Sequence, residues 1–194
     1  MATTALKEWA VAVKALREGR QVLLVRKGGI SEETRDFRIQ AERFLFLPTY
    51  EHQRRDLLRP PFQADLDAVL AEPRAPGRVR FDTFAELTDL FEITEPAQVE
   101  ALAPFYCFSE QYAEERLRWR PRKPLLVMAV RAYRLTVPLE LENRPEFGGC
   151  KSWVTLDEDV SPDNLVAALD DDAYAAQVAA VREALSRVPA GASS

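Results

Sequence analysis

The sequence predicts an α+β fold, with a mixed, mainly antiparallel sheet flanked by helices and a C-terminal amphipathic helix. Three observations carry this expectation. Leu125–Val137 opens with six apolar residues and then alternates, as a strand central to a sheet does at first and a half-exposed one does later. From Val79 to Ile93, Phe, Thr and Ile recur with imperfect alternation, which favours a long, bent strand pair over a helix. Tyr174, Val178, Val181, Leu185 and Val188 fall at steps of four and three, a single apolar stripe on a helix. Core packing is the first reading of that stripe and a surface for a helical partner the second. The 194 residues suit one α+β domain over 1–160, with 161–194 as a helix packed on it and a frayed tail.

The remaining elements follow along the chain. Leu6, Trp9, Val13 and Leu16 have helical spacing and Gly19 stands where a helix stops, so a first helix capped by Thr3 or Thr4 is predicted. Gln21–Val25 reads as a strand that runs into a turn at Arg26-Lys27-Gly28-Gly29, and Phe44–Leu47 as a second strand closed by Pro48. The two together suggest a hairpin with a long polar connection over 31–40. Residues 51–71 predict a helix broken at Pro60-Pro61, with Leu66, Val69 and Leu70 packed inward. Pro96–Leu102 suits a short helix with Thr94 as its cap, and Lys151–Leu156 a final short strand. Ser161-Pro162-Asp163 is expected to open the C-terminal helix.

A hydrophobic content of 47% with 29% charged residues is that of an ordinary globular chain. No apolar run reaches the roughly 20 residues that span a bilayer, and Met1–Lys7 lacks the pattern of a signal peptide, so a cytoplasmic protein without a membrane partner is expected. Cys107 and Cys150 are then read as reduced thiols. The net charge of −5 hides an uneven distribution. Residues 157–172 hold seven carboxylates and no Lys or Arg, whereas residues 114–134 hold seven basic side chains against two acidic ones. A polyanion responds to the local field, so a basic patch stays open as a binding surface. The segment Tyr112–Arg120, which mixes Arg116, Arg118 and Arg120 with Trp119, fits phosphate contacts with stacking. It fits equally a segment that pairs with the acidic run of its own chain.

The densest run of reactive side chains is Phe147-Gly148-Gly149-Cys150-Lys151-Ser152-Trp153. Lys151 can hold an anion and Trp153 can stack on a base, and the alternative is a turn entering a strand. A nucleophilic Cys150 needs a base, and His52 is the only histidine, so the enzymatic candidates are His52 with Cys150 or Lys151. Two cysteines and one histidine without close spacing make a poor zinc set, and no metal or other cofactor is expected. Pro48-Thr49-Tyr50-Glu51-His52-Gln53 is a polar cluster directly after a strand, a common place for a site, or else the cap of the next helix. Arg26 and Lys27 end the neighbouring strand, where the Gly spacing of a P-loop is absent.

Four segments in order resemble the family of domain of unknown function 1802: Ala5-Leu6-Lys7-Glu8-Trp9, Leu24–Ile30, Phe46–Gln53 and Gly148–Val154. The resemblance spans about Ala5 to Leu156 and leaves the C-terminal helix outside it. It implies a bacterial protein with a suggested association with restriction–modification domains, and it carries no assigned catalytic residue. The order of elements also looks like the small β-barrels of the PUA, ASCH and EVE group, which implies a PUA-like barrel as the alternative form of the sheet and a cleft for RNA or modified DNA bases. The leading expectation is a nucleic-acid-binding module for DNA or RNA that reads a modified or flipped base. Its candidate site is Arg26, Lys27, Tyr50, His52, Gln53, Arg116, Arg131, Lys151 and Trp153. A small enzyme using His52, and an interaction module using the C-terminal helix, are the alternatives. Oligomeric state has no signature in the sequence.

Overall fold

In the computed structural model, residues 3–27, 39–119, 123–149 and 151–188 are described. The chain begins with strand β1 (Thr3–Trp9) and turns directly into helix α1 (Ala10–Arg17). Strands β2 (Leu23–Arg26) and β3 (Arg43–Thr49) follow, then helix α2 (Pro60–Ala71). The long strands β4 (Arg78–Ile93) and β5 (Leu125–Glu142) enclose helices α3 (Pro96–Leu102) and α4 (Glu110–Arg118). Short strands β6 (Trp153–Leu156) and β7 (Leu165–Ala167) precede helix α5 (Asp171–Ser186). The strand order is β2-β5-β4-β3-β1-β6, with β7 also on β5, and only β1 and β3 are parallel.

This is a mainly antiparallel, open seven-stranded sheet with helices packed on it, the fold class read from the sequence. The sheet is far from flat. β2 and β1 lie four strands apart, about 19 Å if the sheet were planar. Yet the Arg26 guanidinium at the end of β2 donates to the Lys7 carbonyl of β1. The sheet therefore curls until its two sides nearly meet. Register shifts between Phe81 and Thr83, and between Leu87 and Asp89, add the local bend that such curling needs. Inside the curl, Leu6, Leu24, Phe44, Phe46, Ala85, Met128 and Trp153 of six strands pack with Val13 and Leu16 of α1. A second apolar layer joins the helices to β2 and β5, and a third covers Leu45, Leu47, Phe81 and Leu135.

Several elements depart from the sequence reading. The predicted first helix is a strand over its first half. Ala5 and Leu6 are fully buried, and β1 is paired on both sides, by β3 and by β6. Two-sided pairing and burial outweigh the helical preference of Ala-Leu-Lys-Glu, all four good helix formers. β2 and β3 form no hairpin, because β5 and β4 lie between them. Val79–Ile93 belongs to one bulged strand rather than a pair, and it pairs with β5 along almost its whole length. The prolines at 60 and 61 do not interrupt α2 but start it, where a missing N–H costs nothing. Leu66 and Val69 face inward as expected, while Leu70 is exposed. Glu95 rather than Thr94 caps α3, in a capping box with Gln98.

The C-terminal segment is corrected most. Pro162–Asn164 forms a single 3-10 turn, and β7, not β6, is the last strand. The Asn164 side chain accepts from the Val137 N–H and donates to the Val137 carbonyl, which docks β7 onto β5. Helix α5 starts only at Asp171, capped by the Asp170 carboxylate on the Ala173 N–H at 2.7 Å. Asp170 satisfies one free N–H group, and three consecutive carboxylates at the helix N-terminus complement the helix dipole. Tyr174, Val178 and Val181 are buried in the chain's own core, so the stripe is not the partner surface of the interaction alternative. Asp170→Ala is expected to lower stability by about 1 kcal/mol, read as a melting temperature lower by roughly 2–4 °C. Among the described residues no helix is long and apolar enough to cross a membrane. The tail over 189–194 and most of the 31–40 connection lie outside the described residues.

Candidate functional site

The seam where β2 curls back toward β1 opens into a cleft of about 190 Å³. Lys7, Glu8, Arg26, Arg116, Lys151, Trp9 and Tyr112 line it, with Thr49, Gly149 and Ser152. Glu8 forms the buried floor. It is 5% exposed, and its carboxylate accepts from the Trp9 N–H at 2.7 Å and pairs with Arg26 at 2.9 Å. The Lys7 ammonium, also buried, donates to the carbonyls of Gly148 and Gly149 and so ties the Gly-Gly segment to β1. Gly149 has φ +67°, the left-handed conformation that a glycine adopts without strain. The backbone N–H of Lys7 donates to the Ser152 carbonyl at 2.8 Å, which sets Lys151 on the rim.

The other wall is aromatic. Phe108 and Tyr112 stack with centroids 4.0 Å apart, and Trp9 meets them edge-on at 5.3 and 5.8 Å. The Arg116 guanidinium lies 4.4 Å from the centre of the Tyr112 ring. Burial pushes the Tyr112 phenol up to about 12, so it stays a neutral wall at any ordinary pH. Lys27, the residue after β2, is buried, and its ammonium donates to the Leu117 carbonyl at the end of α4 at 2.7 Å. This cation at a helix C-terminus fixes α4, and with it Arg116 and Tyr112, against β2. Burial lowers the Lys27 pKa from its ordinary value. Among the described residues Arg116 and Lys151 have no carboxylate partner, so the cleft keeps uncompensated positive charge.

A family model, Domain of unknown function (DUF1802), matches residues 5–180. The chain belongs to the DUF1802 family. The match extends past Leu156 and takes in β7 and most of α5, elements that the resemblance read from the sequence left outside. No curated protein matches the chain. A crystal structure of a serine-to-alanine variant of the ASCH protein of Zymomonas mobilis is similar at 14% identity and a TM-score of 0.40, covering 75% of this chain and 90% of that one.

Of the DUF1802 residues singled out in the sequence, the fold brings Arg26, Arg116 and Lys151 into the cleft. The others stand elsewhere. Trp153 is 5% exposed and packs edge-on against Phe44 at 5.1 Å, so its ring is core rather than a stacking surface. Lys27 is the buried tie to α4. Arg131 pairs with Asp171 at the start of α5, away from the cleft lining. Tyr50 lies under the Arg74 guanidinium, 4.1 Å away, in a separate small depression of about 60 Å³ beside α1 and α2. His52 is exposed in the turn after β3, with φ +61°, and is not part of the cleft lining. Gln53 accepts from the Val11 N–H at 3.2 Å and so serves the N-terminus of α1. Cys150, Gly28, Gly29, Arg120 and Arg122 lie outside the described residues. Among the described residues no three His, Cys, Asp or Glu side chains gather as a metal site requires.

The acidic run is used within the chain. Asp157 and Glu158 pair with Arg144, and Asp171 with Arg131. Arg118 pairs with Glu114 one turn back on its own helix. The sequence reading missed Lys7, Glu8 and Trp9 as cleft residues, and it left Thr49, Tyr112 and Ser152 out of the candidate site although each lies in a segment it singled out. One signal was present: Lys7-Glu8 sits between buried Leu6 and Trp9, and two adjacent charges within a strand buried on both faces need a local purpose. That signal reads only if the segment is taken as a strand.

Proposed function

We propose that the protein is a nucleic-acid-binding module whose contact site is the cleft between β1, β2 and α4. The supporting observation is that four cations and two aromatic rings meet around a single carboxylate that Arg26 already neutralises. Lys7 and Arg26 are tied into the fold, which leaves Arg116 and Lys151 as the charges offered outward. A phosphate backbone supplies the matching anion, and Ser152, Thr49 and the Gly149 backbone supply further polar contacts. The site differs from the set read in the sequence by losing Lys27, Tyr50, His52, Gln53, Arg131 and Trp153 and gaining Lys7, Glu8, Trp9, Thr49, Tyr112 and Ser152.

The enzyme alternative has less support, because His52 and Lys151 do not line one cleft. The net charge of −5 does not oppose the proposal, since a polyanion responds to the local field, and Asp157, Glu158 and Asp171 of the acidic run pair with Arg144 and Arg131 rather than with the cleft. The test is binding of the purified protein to mixed DNA and RNA pools, measured by fluorescence anisotropy at low salt. Arg116→Gln with Lys151→Gln is expected to weaken that binding by roughly 10-fold or more without changing the melting temperature. Unchanged affinity in the double variant contradicts the site, and absence of binding to every pool contradicts the function.

A further inference from the structure

The stack behind Arg116 narrows the ligand, on the basis of the nucleic-acid reading above. Phe108 and Tyr112 lie nearly parallel, 13° apart, with centroids at 4.0 Å. At that distance Phe108 occupies one whole face of Tyr112, because carbon atoms in contact sit about 3.5–4.0 Å apart. The Arg116 guanidinium, 4.4 Å from the same ring centre, must therefore lie on the opposite face. Trp9, edge-on to both rings, stops them sliding. The result is an ordered column of Phe108, Tyr112 and Arg116. It begins in the core, where Phe108 is 1% exposed, and ends on a half-buried planar cation that lines the cleft.

The inner face of that cation is covered by Tyr112, so the face it offers to the cleft is the outer one. A guanidinium backed by an aromatic ring is a flat, weakly hydrated platform for another flat ring. Lys151, on the same cleft, is a flexible point charge suited to a phosphate. Both faces of a base inside a duplex are already covered by its neighbours, so a duplex cannot use the platform. We infer that the cleft holds one unstacked base of a single-stranded nucleic acid, stacked on the Arg116 guanidinium, with an adjoining phosphate on Lys151.

The probes are a short mixed-sequence single strand, the same strand with abasic sites throughout, and the corresponding duplex. The variants are Arg116→Lys, which keeps the charge and removes the plane, and Lys151→Gln, which removes the charge beside it. The wild-type protein is expected to bind the intact strand roughly 5- to 150-fold more tightly than the abasic one, the range for a single stacked base. Arg116→Lys removes that preference, so that the intact and the abasic strand bind alike. Lys151→Gln weakens both strands alike and keeps the preference. Equal binding of intact strand, abasic strand and duplex by the wild-type protein overturns the inference and leaves a plain phosphate-binding cleft. A preference for the intact strand that survives in Arg116→Lys also overturns it. No binding to any probe overturns the nucleic-acid reading itself, and this inference with it.

Discussion

Arg26→Ala is expected to destabilise the protein by about 3–5 kcal/mol, a large part of the 5–15 kcal/mol that holds a typical domain together. The reason lies in what the substitution leaves behind. Glu8 is 5% exposed, and the Arg26 side chain is 14% exposed, so little water reaches the pair. Without Arg26 the carboxylate keeps the Trp9 N–H but loses its opposite charge in a place where solvent cannot replace it. The Lys7 carbonyl also loses a donor, and the side chain that bridges the seam is gone. Replacing both partners with apolar residues, Glu8→Leu with Arg26→Met, is expected to recover most of the loss, since no unpaired charge remains. The check is the urea midpoint of the three variants at constant slope. A single variant within 1 kcal/mol of the wild type would mean that water enters the seam freely.

Alkaline pH is expected to weaken the fold by an amount of similar size. Burial holds the phenols of Tyr106 and Tyr112 and the thiol of Cys107 well above their ordinary pKa values. Each stays protonated in the folded chain while the unfolded chain releases its proton. The unfolded state then binds fewer protons, and stability falls as pH rises. The loss begins near pH 9, where an ordinary thiol titrates, and deepens above pH 10, where ordinary phenols do. Tyr112, pushed up to about 12, accounts for on the order of 1–2 kcal/mol of that loss by pH 11. Lys27 acts in the opposite sense: its pKa is lowered, so the unfolded chain holds more protons and stability rises toward pH 10.5. The three acids outweigh one lysine. Denaturant titrations from pH 7 to 11 are expected to show the decline, and Tyr112→Phe to flatten it above pH 10. Below pH 9, Cys107 is expected to react with a thiol reagent only after unfolding.

The parts of the fold legible in the sequence were those whose patterns are local. The apolar run at the start of β5 announced a strand buried on both faces. Tyr174, Val178 and Val181 announced a core helix, and Pro96 the start of α3. What escaped was set by pairing at a distance. Ala5–Trp9 looks helical in isolation and becomes a strand because β3 and β6 take both of its edges. β2 looks like the partner of the next strand in sequence, yet β5, about a hundred residues later, pairs with it. Hence the site was legible only in pieces. Arg26, Arg116 and Lys151 drew attention as cations at the ends of elements, and the curl of the sheet puts them together. Trp153 drew attention as an aromatic beside Lys151, but it packs against Phe44 inside the curl of the sheet. Lys7 and Glu8 were hidden by the helical reading of their segment.

On the proposed reading, the cleft at the seam binds nucleic acid through Arg116 and Lys151. The dependence of affinity on salt concentration tests it most directly, because each phosphate contact releases counterions and steepens the log–log slope by about 0.7 for single strands. Wild-type protein and the Arg116→Gln, Lys151→Gln double variant would be titrated with the same strand across a salt series. The slope is expected to become shallower in the double variant by about 0.7, the share of the phosphate held by Lys151, with the fold intact. An identical slope in a folded double variant would place the phosphates elsewhere on the protein and rule out the cleft as their site.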